Sequence, residues 1–208
     1  ANASTILATA GAVFVIPFLL FSASAGVIAD RSSKRKIVVI MKAFELFIMT
    51  FSLVGIYFKS EFAAFFFLFL MAAQSAAFGP SKYGIIPELV KPERLSHANG
   101  LLNSCTFLAI IIGTFLASFI TDLTNKNFML AFPFCIFISI LGLLASLKIE
   151  KTPPQRSKKR LSPLFLKEIY KTLSLSHKRP HLLWSVFGAA YFLFIGGFAQ
   201  LNTIPYAM

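Results

Sequence analysis

Gly26-Val27-Ile28-Ala29-Asp30-Arg31-Ser32-Ser33-Lys34-Arg35-Lys36 is a tight basic turn wedged between two long apolar runs. A membrane helix that leaves the bilayer, presents charge to the cytoplasm and dives back in has this pattern. The composition around the turn agrees. Of 208 residues, 57% are hydrophobic, 13% are charged and 25 are Phe, with a mean hydropathy of +0.75. Soluble domains carry about 25% charged residues to cover their surface, so an all-α polytopic membrane protein is expected. The formal charge of +12 would suit nucleic acid. Its confinement to short loops between apolar stretches argues against a nucleic-acid partner and for the positive-inside rule.

Six apolar segments are long enough to cross about 30 Å of hydrocarbon. They run from Ile6 to Ile28, Ile37 to Phe58, Phe62 to Ile85, Leu101 to Ile120, Phe128 to Leu147 and Leu182 to Ile204. Arg31, Lys34, Arg35 and Lys36 separate the first two, and Lys91 and Arg94 separate the third from the fourth. The opposite loops are nearly neutral, with Lys59 beside Glu61 and Asp122 beside Lys126. The basic side is therefore expected to be cytoplasmic, with Ala1 outside. Cys105 and Cys135 fall inside apolar runs and read as small buried hydrophobes. His97, His177 and His181 have no spacing that suits a metal.

The stretch from Lys148 to Arg179 is a unit of its own. Lys151-Thr152-Pro153-Pro154 is followed by Arg156, Lys158, Lys159 and Arg160. Leu164, Phe165, Ile169 and Leu173 then alternate with Lys167, Glu168 and Lys171 as in a short amphipathic helix. Such a segment suits an anionic leaflet, and a solvated linker reads equally well. The chain opens at Ala1 without a Met and stops at Met208 beside an apolar run, so it reads as an excised piece of a longer protein.

Within the turn, Gly26 removes a side chain where two helices can approach. Asp30 can accept from the amides of a neighbouring helix, and Arg31, Lys34 and Arg35 can pair with head groups or acidic partners. On these residues alone, a conformational latch and a plain positive-inside anchor are both open. The spacing Gly26-x-x-x-Asp30-Arg31-x-x-Lys34-Arg35-Lys36 resembles the signature loop between the second and third helices of the major facilitator superfamily, G-x-x-x-D-[RK]-x-G-[RK]-[RK]. Ser33 stands where that pattern has glycine. The resemblance implies twelve helices in two six-helix halves, with a gating role for Asp30, Arg31 and Arg35. The six segments then become helices two to seven. Residues 1–147 form the N-terminal half lacking helix one, 148–181 the basic central cytoplasmic loop, and 182–208 the truncated first helix of the second half.

A second resemblance narrows the group. Gln74-Ser75-Ala76-Ala77-Phe78-Gly79-Pro80-Ser81-Lys82-Tyr83-Gly84-Ile85-Ile86-Pro87-Glu88-Leu89, followed by Asn99-Gly100-Leu101, is similar to bacterial lysophospholipid transporters. Phe18 to Gly26 and Thr106 to Thr114 are similar to the same group, and the likeness runs from Phe14 to Leu123. Members occur alone or fused ahead of acyltransferase and acyl-carrier-protein synthetase domains. The implied localisation is the bacterial inner membrane, and the implied partners are a lysophospholipid, bilayer lipids and the rest of the same protein.

Ionisable residues inside the spans are few and therefore informative. Glu45 lies two turns into the second span, Lys42 almost one turn before it, and Lys82 near the cytoplasmic end of the third, where Gly79-Pro80 is expected to loosen the helix. A carboxylate at that depth needs a cation or a wet cavity, and Lys82 is the preferred partner over Lys42. A structural ion pair or snorkelling lysines would give the same pattern. If the substrate is a lysophospholipid, Lys82 suits its phosphate and Glu45 an ethanolamine ammonium. Gln74 and Asn103 suit the glycerol or ester region, or serve as interhelical glue. A drug or metabolite antiporter of the same superfamily, and the membrane anchor of a reacylating fusion enzyme, are the alternatives. No catalytic residue, metal or cofactor is expected, since no Ser-His-Asp set, acyltransferase box or phosphate-binding glycine loop occurs.

Overall fold

The computed structural model describes residues 3–125, 127–153, 174 and 180–203. These contain helices and no strand. The long helices are α1 (Ala3–Arg31), α2 (Lys34–Tyr57), α3 (Glu61–Gly84), α5 (Leu95–Leu123), α6 (Phe128–Leu147) and α7 (Pro180–Thr203), with a single-turn α4 (Ile86–Leu89) and a 3₁₀ turn (Pro92–Arg94) between α3 and α5. In hydrocarbon no water is available to satisfy backbone amides, so each apolar run closes its own hydrogen bonds as a helix. Five helical segments are long and apolar enough to cross a membrane: Thr5–Arg31, Lys34–Tyr57, Glu61–Leu89, Pro92–Leu123 and Phe128–Leu147. The sixth expected span corresponds to α7, whose apolar stretch Leu183–Ala199 is shorter than the others. The amphipathic segment from Leu164 to Leu173 lies outside the described residues.

The chain forms two compact units, one of Ala10–Leu161 and one of Ala1–Thr9 with Ser162–Met208. The second contains α7, with Trp184, Phe192 and Phe194 exposed along it. In the first, α2 is the central element and packs against both α3 and α6. Its sequence explains this position. Lys34, Val38, Met41, Glu45, Ile48, Ser52 and Gly55 recur at alternating steps of four and three, which keeps one stripe facing inward over the whole helix. Lys34, Val38, Ile48, Ser52 and Gly55 are buried on that stripe. α6 meets it with Ser139, Gly142 and Ser146, small residues that let two helices approach closely, and both serines are buried. At Gly55 an added Cβ would come within 2.9 Å of the Ala63 Cβ, so α2 and α3 touch there.

Three expectations are corrected. α3 continues through Pro80 to Gly84 rather than loosening at Gly79-Pro80; proline has a helix-compatible φ, and membrane helices absorb the lost amide donor. Cys105 and Cys135 are exposed rather than buried. A bilayer accepts apolar side chains on the outside of a bundle, so an apolar run does not say which residues point inward. Gly26 marks no close helix approach among the described residues, since a Cβ there would meet nothing within 4 Å.

Candidate polar site within the helix bundle

Glu45 lies eleven residues into α2, about 16 Å along its axis and so near mid-membrane, deeper than a count from the apolar boundary suggested. Its carboxylate is held from all three packed helices. Lys42 Nζ donates to Oε2 at 2.8 Å, Gln74 Nε2 on α3 to the same oxygen at 3.4 Å, and Ser139 Oγ on α6 to Oε1 at 3.3 Å. Gln74 also donates to the Met41 carbonyl at 3.1 Å, and Ser75 Oγ donates to Gln74 Oε1 at 3.3 Å. Gln74 and Ser139 are each 3% exposed. A half-buried carboxylate at this depth needs a cation and several donors facing it, and these residues supply both.

The expected Glu45–Lys82 pair is not formed. Lys82 lies two turns beyond Gln74 on α3, about 12 Å along the axis, which is too far for its side chain to compete with Lys42. Lys82 Nζ instead donates to Thr106 Oγ1 on α5 at 3.0 Å, and the Thr106 hydroxyl donates in turn to the Leu102 carbonyl at 2.7 Å. Lys82 stands 5.3 Å from the Tyr83 ring centre, and Lys42 stands 5.4 Å from that of Phe78. Gln74, Phe78 and Lys82 follow one another at four-residue steps, so they line one face of α3. Each lysine thus stands over a different ring of α3. Asn103 is exposed on α5 and makes no hydrogen bond among the described residues.

The basic turn is organised by other contacts. Lys34 forms an ion pair with Glu88 on α4, with side chains 5% and 11% exposed. Arg35 Nε donates to the Ile149 carbonyl at 2.6 Å and its Nη2 to the Leu147 carbonyl at 2.9 Å, capping the negative end of α6. Ser33, the N-cap of α2, makes no side-chain cap bond. Thr152 takes that role from across the chain, its Oγ1 accepting from Arg35 N at 3.3 Å and lying 3.4 Å from Ser33 Oγ. Ser33 has φ −61°, so its backbone makes no demand for glycine, and the departure from the signature is harmless to the turn. Asp30 is half-buried in the last turn of α1, and Arg31 is exposed.

The sequence profile described as Major Facilitator Superfamily matches residues 2–207. The chain belongs to the major facilitator superfamily. Among curated relatives, it is 30% identical over 148 residues to the lysophospholipid transporter LplT of Photorhabdus laumondii, covering 71% of this chain and 35% of that protein. It is 31% identical over 110 residues to the protein of the same name from Cronobacter sakazakii, covering 53% and 26%. With that of Serratia proteamaculans it shares 26% over 140 residues, covering 67% and 33%. The chain thus spans about a quarter to a third of the length of these relatives. No solved structure matches it.

As a major facilitator chain with five such helices, it is a multi-pass membrane protein. Four residues that matter to the site were not singled out from sequence: Ser139, Thr106, Glu88 and Thr152. Ser139 carried a signal, as a hydroxyl three residues before Gly142 and seven before Ser146 in an otherwise apolar helix. Thr106 and Thr152 carried none, because their roles depend on which distant residues arrive beside them.

Proposed function

We propose that the chain is part of a transporter that moves lysophospholipid, in the first instance lysophosphatidylethanolamine, from the outer to the inner leaflet of the bacterial inner membrane. Transport would proceed by alternating access between two six-helix halves. The observation that carries this reading is the Glu45 carboxylate at mid-membrane, held by Lys42, Gln74 and Ser139, with Lys82 two turns away on the same helix face as Gln74. A zwitterionic head group needs one anionic and one cationic contact. Lys82 binds the phosphate, and Glu45 meets the ammonium once Lys42 swings away from it. Gln74 orients the glycerol region, and Asn103 lies one turn before Thr106, the residue that holds Lys82. The names of the relatives support the substrate class.

Residues 1–147 then make up the N-terminal half without helix one, 148–181 the cytoplasmic central loop, and 182–208 the start of the second half. Gly26, Asp30, Arg31, Lys34 and Arg35 act as the gate. The Lys34–Glu88 pair and the Arg35 cap on α6 support this, because they tie the turn to α4 and to the end of α6. Uptake of headgroup-labelled lysophosphatidylethanolamine by spheroplasts expressing the protein is the test. Uptake that lysolipid competes and soluble cationic drugs do not is expected. Drug-driven antiport without lysolipid uptake would overturn the proposal.

A further inference from the structure

Three side chains hold the Glu45 carboxylate, and they differ in how firmly each is fixed. Gln74 and Ser139 reach it from α3 and α6, and each is 3% exposed, so both are packed into the helix contacts that position them. Lys42 comes from Glu45's own helix, three residues earlier, and its side chain is 24% exposed. Lysine ends in a compact ammonium on a flexible four-carbon stem. A pair made within one helix can open without disturbing any contact between helices. Of the three partners, Lys42 is the one free to come and go.

The neighbours of Lys42 leave that freedom intact. On the α6 side stands Gly142, where an added Cβ would lie 3.5 Å from Lys42 Nζ, 3.6 Å from Cδ and 3.7 Å from Cε. The lysine stem therefore runs along a position that offers no side chain to grip it. On the α3 side the ammonium stands 5.4 Å from the centre of the Phe78 ring. An aromatic face attracts a cation within about 6 Å of its centre, so Phe78 gives the ammonium a second hold when it lets go of Glu45. The lysine thus has one strong contact, one weak one and room to shift between them.

Lys42 presents to Glu45 the same group that ends an ethanolamine head, a primary ammonium on a methylene, and it donates to Oε2 at 2.8 Å. Exchange of one ammonium for the other keeps a cation at the carboxylate throughout. A head that ends in glycerol brings no such group, and a carboxylate among apolar helices is costly without a cation. We propose that Lys42 is a specificity-determining residue, a tethered ammonium that yields Glu45 to a head group carrying its own ammonium and stays in place for one that carries none. The proposal rests on the reading of lysophospholipid as substrate with its ammonium at Glu45. It deepens that reading by giving one site two loaded forms, one for a zwitterionic and one for an anionic head.

The test is uptake by spheroplasts expressing the full-length protein, with lysophosphatidylethanolamine and lysophosphatidylglycerol of the same acyl chain supplied together under different labels. The ratio of the two uptakes in one sample does not depend on how much of a variant reaches the membrane folded. Lys42→Met leaves Glu45 without a cation unless the lipid supplies one, so the ratio should move about tenfold towards the ethanolamine lipid. Lys42→Arg puts a guanidinium fork on the carboxylate that a single ammonium displaces poorly, so the ratio should move several-fold the other way. Lys42→Arg keeps the charge and serves also where Lys42→Met does not fold. A merely structural lysine would lower both uptakes alike. An unchanged ratio in the variants overturns the proposal and leaves the substrate reading standing, as does uptake of the ethanolamine lipid alone by the unaltered protein. Uptake of neither lipid by the unaltered protein overturns the substrate reading, and the proposal with it.

Discussion

Glu45 illustrates how a carboxylate is accommodated halfway along an apolar helix. Its two oxygens receive one ammonium, one amide and one hydroxyl from three helices, so little of its charge is left for lipid to solvate. Removing Ser139 Oγ deletes a single neutral donor, and Ser139→Ala should lower stability by about 1 kcal/mol, read from thermal unfolding in detergent. Lys42→Met removes the counter-charge and should cost more, about 3 kcal/mol, because it leaves a carboxylate buried without its cation. Equal and small effects of the two substitutions would mean that the Lys42 contact does not hold Glu45 in place. The candidate residues were legible because Glu45, Gln74 and Lys82 are rare polar groups in apolar runs. Which lysine pairs with Glu45 was not, since both are in plausible sequence range and axial depth decides.

Between elements, the decisive contacts join residues more than a hundred positions apart. The first turn of α2 lacks a cap of its own and takes one from Thr152, while the last carbonyls of α6 take theirs from Arg35. One basic turn thereby fixes both helix ends. Thr152→Val should cost about 1 kcal/mol through the unsatisfied amide. Arg35→Lys should not restore what Arg35→Ala loses, because an ammonium lacks the fork that reaches two carbonyls at once; full rescue in a thermal-shift comparison would refute the capping role. Gly142 bears on the α2–α6 contact. An added Cβ there would lie 3.5 Å from Lys42 Nζ, so Gly142→Ala should be tolerated, whereas Gly142→Leu should push Lys42 away from Glu45 and resemble Lys42→Met. Helix positions were readable from hydropathy because bilayer thickness sets their length. The inward faces were readable only where a heptad stripe, as on α2, survives in an otherwise apolar helix.

The molecule as a whole combines a superfamily membership carried by nearly its full length with a polar site that is confined to three helices. Charge asymmetry, the basic turn and hydropathy all point to one topology, with the α2 start, α3 end and α6 end on one side. The contacts of Lys34 and Arg35 bring those same ends together. The contacts of the basic turn brace the ends of α2, α3 and α6, and the proposed substrate contacts are Glu45 and Lys82. The most direct test compares uptake of labelled lysophosphatidylethanolamine in spheroplasts expressing the unaltered protein, Lys82→Ala and Glu45→Gln, with membrane content matched by immunoblot. Loss of a charge-assisted contact of about 1.5–3 kcal/mol predicts a fall of about tenfold or more in each variant. Undiminished uptake in both, with normal amounts of protein in the membrane, would contradict the account.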